Sequence, residues 1–317
     1  ARFTDSEWFI IEGDEYDTAF FDKRSKFVHY LPEVGIINNL EFDHADIFEN
    51  LAAIQKSFSH FVRLIPRNGL LLANGDEPHV APAIENAPCP VTLFGFGERN
   101  TARAENLQLS ADSSDFEFEG FTYRIPLIGE LNVRNALAVA ACARHCGLSH
   151  EQIQSAFATF KGIRRRMEVR GEAGGVVVID DFGHHPTAIR ETLKALRVKY
   201  PGRKVWAVFE PRSNTTRRNI FQEEFVRSFV DADAVVVAQV ARLEMLNPDE
   251  RLNPDQLMVE LRALGKTAEY RPDADRIVEY LTREAHSGDV VCVFSNGGFG
   301  DIHNKLLLAL GENDSST

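Results

Sequence analysis

The stretch VVVIDDFGHHPTAIRETLKALRVKY, residues 176–200, decides the fold. Its first five residues, Val176 to Asp180, form a short, β-branched apolar run of the kind a fully buried strand carries. From Pro186 onward the apolar residues Ile189, Leu193 and Leu196 recur at helical spacing, and Pro at the first helical position suits a helix start. Strand, polar loop, helix is the repeating unit of an α/β protein with a mostly parallel sheet.

The same unit recurs outward from there. Apolar runs that predict strands stand at 8–12 (WFIIE), 34–38 (VGIIN), 69–74 (GLLLAN), 205–209 (VWAVF), 234–238 (AVVVA) and 290–294 (VVCVF). Amphipathic stretches that predict helices occupy 48–63, 132–146, 151–160, 186–200, 219–229, 254–264, 273–287 and 299–310. Residues 100–126 have another texture: Phe116, Phe118 and Tyr123 alternate around Gly120, which predicts an antiparallel hairpin.

With 317 residues the chain is expected to form about two domains. A boundary is expected at 163/164, where a helix ends near Gly162 and the basic run Arg164, Arg165, Arg166 begins. Hydrophobic residues at 44% and charged residues at 26% exclude disordered and fibrous classes. No apolar run approaches membrane-spanning length and no signal-peptide pattern opens the chain, so no membrane insertion and a cytoplasmic location are expected. A net charge of −12 argues against a general nucleic-acid surface. The cysteines Cys89, Cys142, Cys146 and Cys292 form no C-x-x-C pair and are expected to be reduced. The chain opens with Ala1 and Arg2 rather than Met, which is expected of a piece cut from something longer, and its polar tail, Gly311 to Thr317, is expected to be disordered.

Ligands of open α/β sheets bind beyond the carboxyl ends of strands, so the residues after each run carry the chemistry. After 8–12 comes EGDEYD, and after 34–38 comes NNLEFDH. If those strands are neighbours, Glu12 and His44 share a crevice where they hold a divalent ion or its water; a solvated acidic loop is the alternative. Asn132 and Asn135 lie one turn apart at a helix start, where their amides suit a purine edge; alternatively Asn132 is an ordinary cap. Arg164 to Arg166 are suited to phosphates or are a solvated linker. The loop DDFGHHP (180–186) gathers hydroxyl acceptors, proton-transfer groups and a glycine for close backbone approach, more than a structural loop needs. EPRSNTTRR (210–218) offers Arg212, Arg217 and Arg218 to a carboxylate-rich ligand or is only a basic approach to the next helix, and SNGGFG (295–300) offers backbone amides to an anion.

In this order, EGDEYD, NNLEFDH, GELNVRNALAVAA, RRRMEVRGE, DDFGHHPTAI and PRSNTTRR resemble the Mur ligase family over essentially the whole chain. The resemblance implies a central ATPase domain, mostly parallel sheet with helices plus a small antiparallel hairpin, over residues 1–163 without its beginning. A Rossmann-like C-terminal ligase domain would follow over 164–313, and then a disordered tail, 314–317. No G-x-x-G-K-T/S phosphate loop occurs in the chain. The resemblance further implies ATP and Mg2+ as cofactors. Glu12 and His44 would assist the metal, with Asn132 and Asn135 near the adenine. Arg166 would contact phosphate, while Asp181 and His185 would touch nucleotide or the transferred phosphoryl group. Arg212, Arg217 and Asn296 would bind substrate. Lys56 does not match the spacing of the modified lysine found in some relatives.

Within the family, DDFGHHP is nearest to members acting on UDP-N-acetylmuramate. EGDEYDTAFFDKRSKF and EPRSNTTRR look like the member that adds the tripeptide L-alanyl-γ-D-glutamyl-meso-diaminopimelate in peptidoglycan recycling, rather than the one that adds L-alanine. The implied chemistry activates a carboxylate as an acyl phosphate, which an amine then attacks. A fragment without turnover, binding only, is the rival from another class. A dinucleotide-binding oxidoreductase fits the α/β pattern but lacks a convincing G-x-G-x-x-G after a first strand.

Overall fold

The computed structural model describes residues 5–241 and 243–314. In chain order the elements are β1 (Asp17–Ala19), β2 (Asp22–Ser25), β3 (Val34–Ile37), α1 (Leu51–Leu64), β4 (Leu70–Asn74), α2 (Ala81–Ile84), β5 (Val91–Gly95) and β6 (Ala102–Arg103). They continue with β7 (Glu105–Leu109), β8 (Ser114–Phe118), β9 (Phe121–Ile125), α3 (Glu130–His145), α4 (His150–Thr159), β10 (Glu168–Ala173), β11 (Val176–Asp181) and α5 (Pro186–Lys199). The last are β12 (Val205–Phe209), α6 (Gln222–Ser228), β13 (Ala234–Ala238), α7 (Pro254–Ala263), β14 (Thr267–Arg271), α8 (Ala274–Glu284), β15 (Val290–Phe294) and α9 (Ile302–Asp314). Two compact units result, one of residues 1–103 with 137–146, the other of 104–136 with 147–317.

In the first unit four parallel strands lie in the order β3-β4-β5-β6. Ile37, Leu71 and Ala73 from this sheet pack with Ile54 and Val62 of α1. The helix starts where the Asn50 side chain accepts the Ala53 N–H at 3.0 Å, and stops before Pro66. The strand expected at 8–12 is absent. Those residues lie in no ladder, with Phe9 66% and Ile10 94% exposed. A strand needs a ladder for its backbone and a layer over its apolar face, and among the described residues this run pairs in no ladder and stays largely exposed. The pairing in this region is instead the short antiparallel ladder β1-β2.

The second unit holds two sheets. The expected hairpin over 100–126 is a three-stranded antiparallel sheet, β7-β8-β9, with Phe116 and Tyr123 stacked at 5.4 Å and Phe157 of α4 set edge-on to Tyr123. The larger sheet runs β10-β11-β15-β12-β13-β14, parallel except for β10. Strands β11, β12, β13 and β15 are buried along their whole length, which is why they read as unbroken apolar runs. The edge strands β10 (EVRGEA) and β14 (TAEYR) are only partly buried and polar, and the apolar pattern does not reveal them. Helix α9 continues to Asp314, so Gly311 to Asp314 are helical rather than part of a loose tail. Residues 315–317 and the opening Ala1 and Arg2 lie outside the described residues. No described helix is long and apolar enough to cross a membrane.

Candidate functional site

Topology brings three polar loops side by side. β15 lies between β11 and β12, and the three end in register, with Asp181 opposite Phe294 and Phe294 opposite Phe209. The loops DFGHH, EPRSNTT and SNGGFG, although far apart in sequence, therefore leave one sheet edge at the same level. This is the carboxyl edge, where open parallel sheets place their ligands.

Asp181 closes the first loop from inside. It is 2% exposed, and its carboxylate accepts the Met167 N–H at 2.8 Å, the Gly183 N–H at 2.7 Å and the Thr192 hydroxyl at 3.4 Å. Burial pushes its pKa up even against those donors and the nearby Arg166 charge. Both of its oxygens thus accept hydrogen bonds from within its own unit, and these tie the loop to α5 and to the segment before β10. His185 caps α5: its Nδ1 accepts the Thr187 N–H at 3.3 Å, so the proton of the neutral ring sits on Nε2. Its ring meets Phe221 edge-on at 4.8 Å.

The neighbouring Asp180, also 2% exposed, has a different environment. It faces Arg165 Nε at 3.3 Å, Arg170 Nη1 at 3.4 Å and His303 Nε2 at 3.5 Å. His303 is 6% exposed; burial lowers its pKa and the adjacent arginines lower it further, against the pull of Asp180. The three arginines of the 164–166 run separate by environment. Arg164 and Arg166 are exposed, Arg166 with its guanidinium over the Phe182 ring at 5.5 Å, whereas Arg165 turns inward to Asp180.

The arginines of EPRSNTTRR separate in the same way. Arg217 is 7% exposed, and its guanidinium donates to Ser213 O, Ala241 O and Asn214 Oδ1. It ties its own loop together and leaves little of its side chain exposed. Arg218 pairs with Glu250 at 2.6 Å. Arg212 is half exposed and lies across Gly297, where a Cβ would come within 2.6 Å of its Nη1. Beneath it the Ser295 hydroxyl donates to Glu210 Oε2 at 2.5 Å. The Asn296 Oδ1 beside them is buried and has no hydrogen-bond partner among the described residues.

Elsewhere the expected residues fare unevenly. Asn132 is inside α3 rather than at its cap, and its Nδ2 donates to Ile128 O at 2.8 Å; Asn135, one turn on, is half buried. In the first unit Glu12 is exposed, and the carboxylate that meets His44 belongs to Glu15, 2.5 Å from Nε2. The His44 ring also packs on Tyr16 at 4.3 Å. Burial alone would lower the His44 pKa, but the bond to Glu15 and the charges of Asp43, Glu15 and Asp46 carry it above the ordinary value.

Comparison with known proteins settles the family. Residues 2–143 match the Mur ligase middle domain, and residues 165–297 match the Mur ligase glutamate ligase domain. The UDP-N-acetylmuramate–L-alanyl-γ-D-glutamyl-meso-2,6-diaminoheptandioate ligase of Escherichia coli is 41% identical over 98% of this chain and 67% of its own length. The chain belongs to the Mur ligase family. A UDP-N-acetylmuramate–L-alanine ligase from Salinibacter ruber is 33% identical over 97% of this chain and 64% of its own. Among solved structures, a murein peptide ligase from Psychrobacter arcticus superposes with a TM-score of 0.68 at 34% identity, covering 94% of this chain and 62% of that one. This Mur ligase chain thus spans about two thirds of the length of the relatives it matches.

Sequence reasoning missed the residues through which this Mur ligase organises its loops. Glu15 was hidden among the acids of EGDEYD, Arg165 among three arginines and Glu210 at the head of EPRSNTTRR, and His303 carried no motif at all. Spacing names a cluster; only the fold decides which member turns inward. No group of three or more His, Cys, Asp or Glu side chains among the described residues is arranged to hold a metal alone. The exposed Arg166 beside Phe182 suits phosphates.

Proposed function

We propose that this chain is the central and C-terminal part of an ATP-dependent ligase of peptidoglycan recycling. In this reading it joins the carboxylate of UDP-N-acetylmuramate to the amine of L-alanyl-γ-D-glutamyl-meso-diaminopimelate through an acyl phosphate, in the cytoplasm. The observation that carries it is the shared carboxyl edge of β11, β15 and β12, where an exposed Arg212 lies across Gly297, the residue after Asn296 with its unpartnered Oδ1. The names and identities of the relatives support the substrates. Division at 163/164 is supported by the limits of the two family matches.

In this reading each residue has a distinct task. Arg166 holds phosphate oxygens by charge-assisted hydrogen bonds. His185, with its proton on Nε2, donates to the transferring phosphoryl group. Asp181 holds the loop that carries them. Arg212 takes a carboxylate of the tripeptide, and Asn296 Oδ1 accepts from its amine. Arg217 supports Arg212 by fixing the loop. Asn132 and Asn135 border the adenine. Glu12 and His44 assist magnesium, with Glu15 orienting the imidazole as a carboxylate behind a metal-side histidine does. Magnesium, when bound, offsets the charge of phosphates and carboxylate brought together.

The test is phosphate release by a full-length ligase carrying this sequence, with UDP-N-acetylmuramate and either amine. The tripeptide is expected to give at least about tenfold higher kcat/KM than L-alanine, a difference of roughly 1.4 kcal/mol. A preference for L-alanine would assign the chain to the alternative ligase. The 317-residue chain alone is expected to give no ligation, since it has no phosphate loop.

A further inference from the structure

Arg165 bonds to three separate chain segments, and the sequence gives it no task of its own beyond its place in the basic run 164–166. Its backbone is left-handed, with φ at +58°, and its carbonyl accepts the Phe182 N–H at 2.7 Å. Its own N–H donates to Glu168 Oε2 at 2.8 Å. Its guanidinium lies over the Phe182 ring at 5.0 Å, pairs with Asp180, and donates through Nη2 to both Ser295 O at 2.6 Å and Gly297 O at 2.9 Å. One side chain therefore joins the loop after β11 to the loop after β15. That second loop leads directly to the acceptor side: Ser295 Oγ reaches Glu210, and Gly297 lies under Arg212.

We infer that Arg165 is a positioning residue for the acceptor amine: it fixes the SNGG loop so that Arg212 and Asn296 are held at their stations, while Arg166 beside it serves the phosphates. The arrangement divides labour between adjacent arginines that both lie over the Phe182 ring, of which Arg165 also bonds to Asp180 and the loop carbonyls. Arg suits the inward task because its planar fork can serve two carbonyls and a carboxylate at once, which a lysine ammonium at the end of a flexible stem does not. Asp180 keeps the guanidinium in place, with Arg170 and His303 completing the charge around it. This assignment rests on the proposed ligase reading for its substrate, but not for its geometry.

Two measurements separate those parts. In this chain, hydrogen exchange of the peptide spanning 294–300 is expected to run roughly tenfold faster in Arg165→Met than in the parent, because two charge-assisted bonds to the loop are gone. Arg166→Met is expected to leave it unchanged. In an active full-length ligase, Arg165→Met is expected to raise KM for the tripeptide about tenfold or more, with KM for ATP and kcat within about threefold. Arg165→Lys, which keeps a cation beside Asp180 but cannot span both carbonyls, is expected to fall between. Uniformly faster exchange across the second unit, or equal rises in both KM values, would make Arg165 a general stabiliser and overturn the inference. Unchanged exchange at 294–300 would overturn it as well. An unmutated ligase that uses neither amine would sink the ligase reading and leave the exchange result to judge Arg165.

Discussion

WFIIE at 8–12 and VVVID at 176–180 look alike as sequences, yet one is exposed chain and the other the middle of a sheet. Val176 to Asp180 lie in β11 between β10 and β15, with backbone partners on both sides and no accessible side chain of consequence. Trp8 to Glu12 have no ladder among the described residues. An apolar run is thus a request for a neighbour, and the neighbour decides whether it becomes a strand. The comparison is sharpest in two isoleucines. Ile179, at 0% exposure, is expected to lose about 2–5 kcal/mol when truncated to alanine, from lost burial and the cavity left behind. Ile10→Ala is expected to change stability by less than about 0.5 kcal/mol. Urea unfolding of both variants of this chain checks this, and comparable losses would mean that 8–12 is packed in solution.

The acids that follow the two runs differ as their backbones do. Asp181 sits on a strand end and satisfies two buried amides, whereas Glu12 is exposed. Asp181→Ala strands both N–H groups and is expected to cost about 2–6 kcal/mol at roughly 1–3 for each unpaired donor. Asp181→Asn should fare little better, because one amide oxygen replaces two acceptors and the new NH2 group faces a donor. Glu12→Ala is expected to stay within about 0.5 kcal/mol. An Asn variant as stable as the parent would show that one of the two amides finds another acceptor.

The contrast also marks how far the sequence could be read. Buried strands β11, β12, β13 and β15 were legible because burial on both faces leaves them apolar, apart from the two aspartates that end β11. The loops after three of them were legible for the same reason, since position beyond a strand end fixes where they stand. Edge strands were not, because half of each faces solvent. Within the loops the residue types were legible and their directions were not. Arg165 and Arg166 are neighbours with opposite exposure, and so are Arg212 and Arg217 within one loop, because direction depends on carbonyls contributed by Ser295, Gly297 and Ala241. No local pattern encodes those partners.

A smaller effect tests the close approach beneath Arg212. Gly297→Ala puts a methyl group where the Arg212 Nη1, Cζ and Cδ now lie, and the guanidinium, half exposed and flexible, can swing away. Stability is expected to change by less than about 1 kcal/mol. In a full-length ligase KM for the tripeptide is expected to rise about three- to tenfold, the share of one charge-assisted contact. A large loss of stability with unchanged KM would mean that the loop backbone moves instead of the arginine.

The smallest effect returns to the first unit, in the segment that follows β3, where His44 pairs with Glu15. His44 is half buried, left-handed in its backbone at φ +55°, and bonded through Nε2 to Glu15. Burial opposes its charge, yet Glu15 and the charges of Asp43 and Asp46 raise its pKa above 6.5. A raised imidazole pKa stabilises the folded chain fully below 6.5 and loses that contribution as pH rises through the folded value. Glu15→Gln removes the largest favourable partner and leaves burial in command, so the His44 resonance is expected to titrate at lower pH and the slight pH dependence between 6.5 and the folded value to vanish. Glu12→Gln is the control that keeps the comparison honest about which carboxylate matters: it is expected to leave the His44 titration where it was. If Glu12→Gln moves it and Glu15→Gln does not, the exposed acid is the partner in solution, and the region beyond WFIIE has a fold other than the one described.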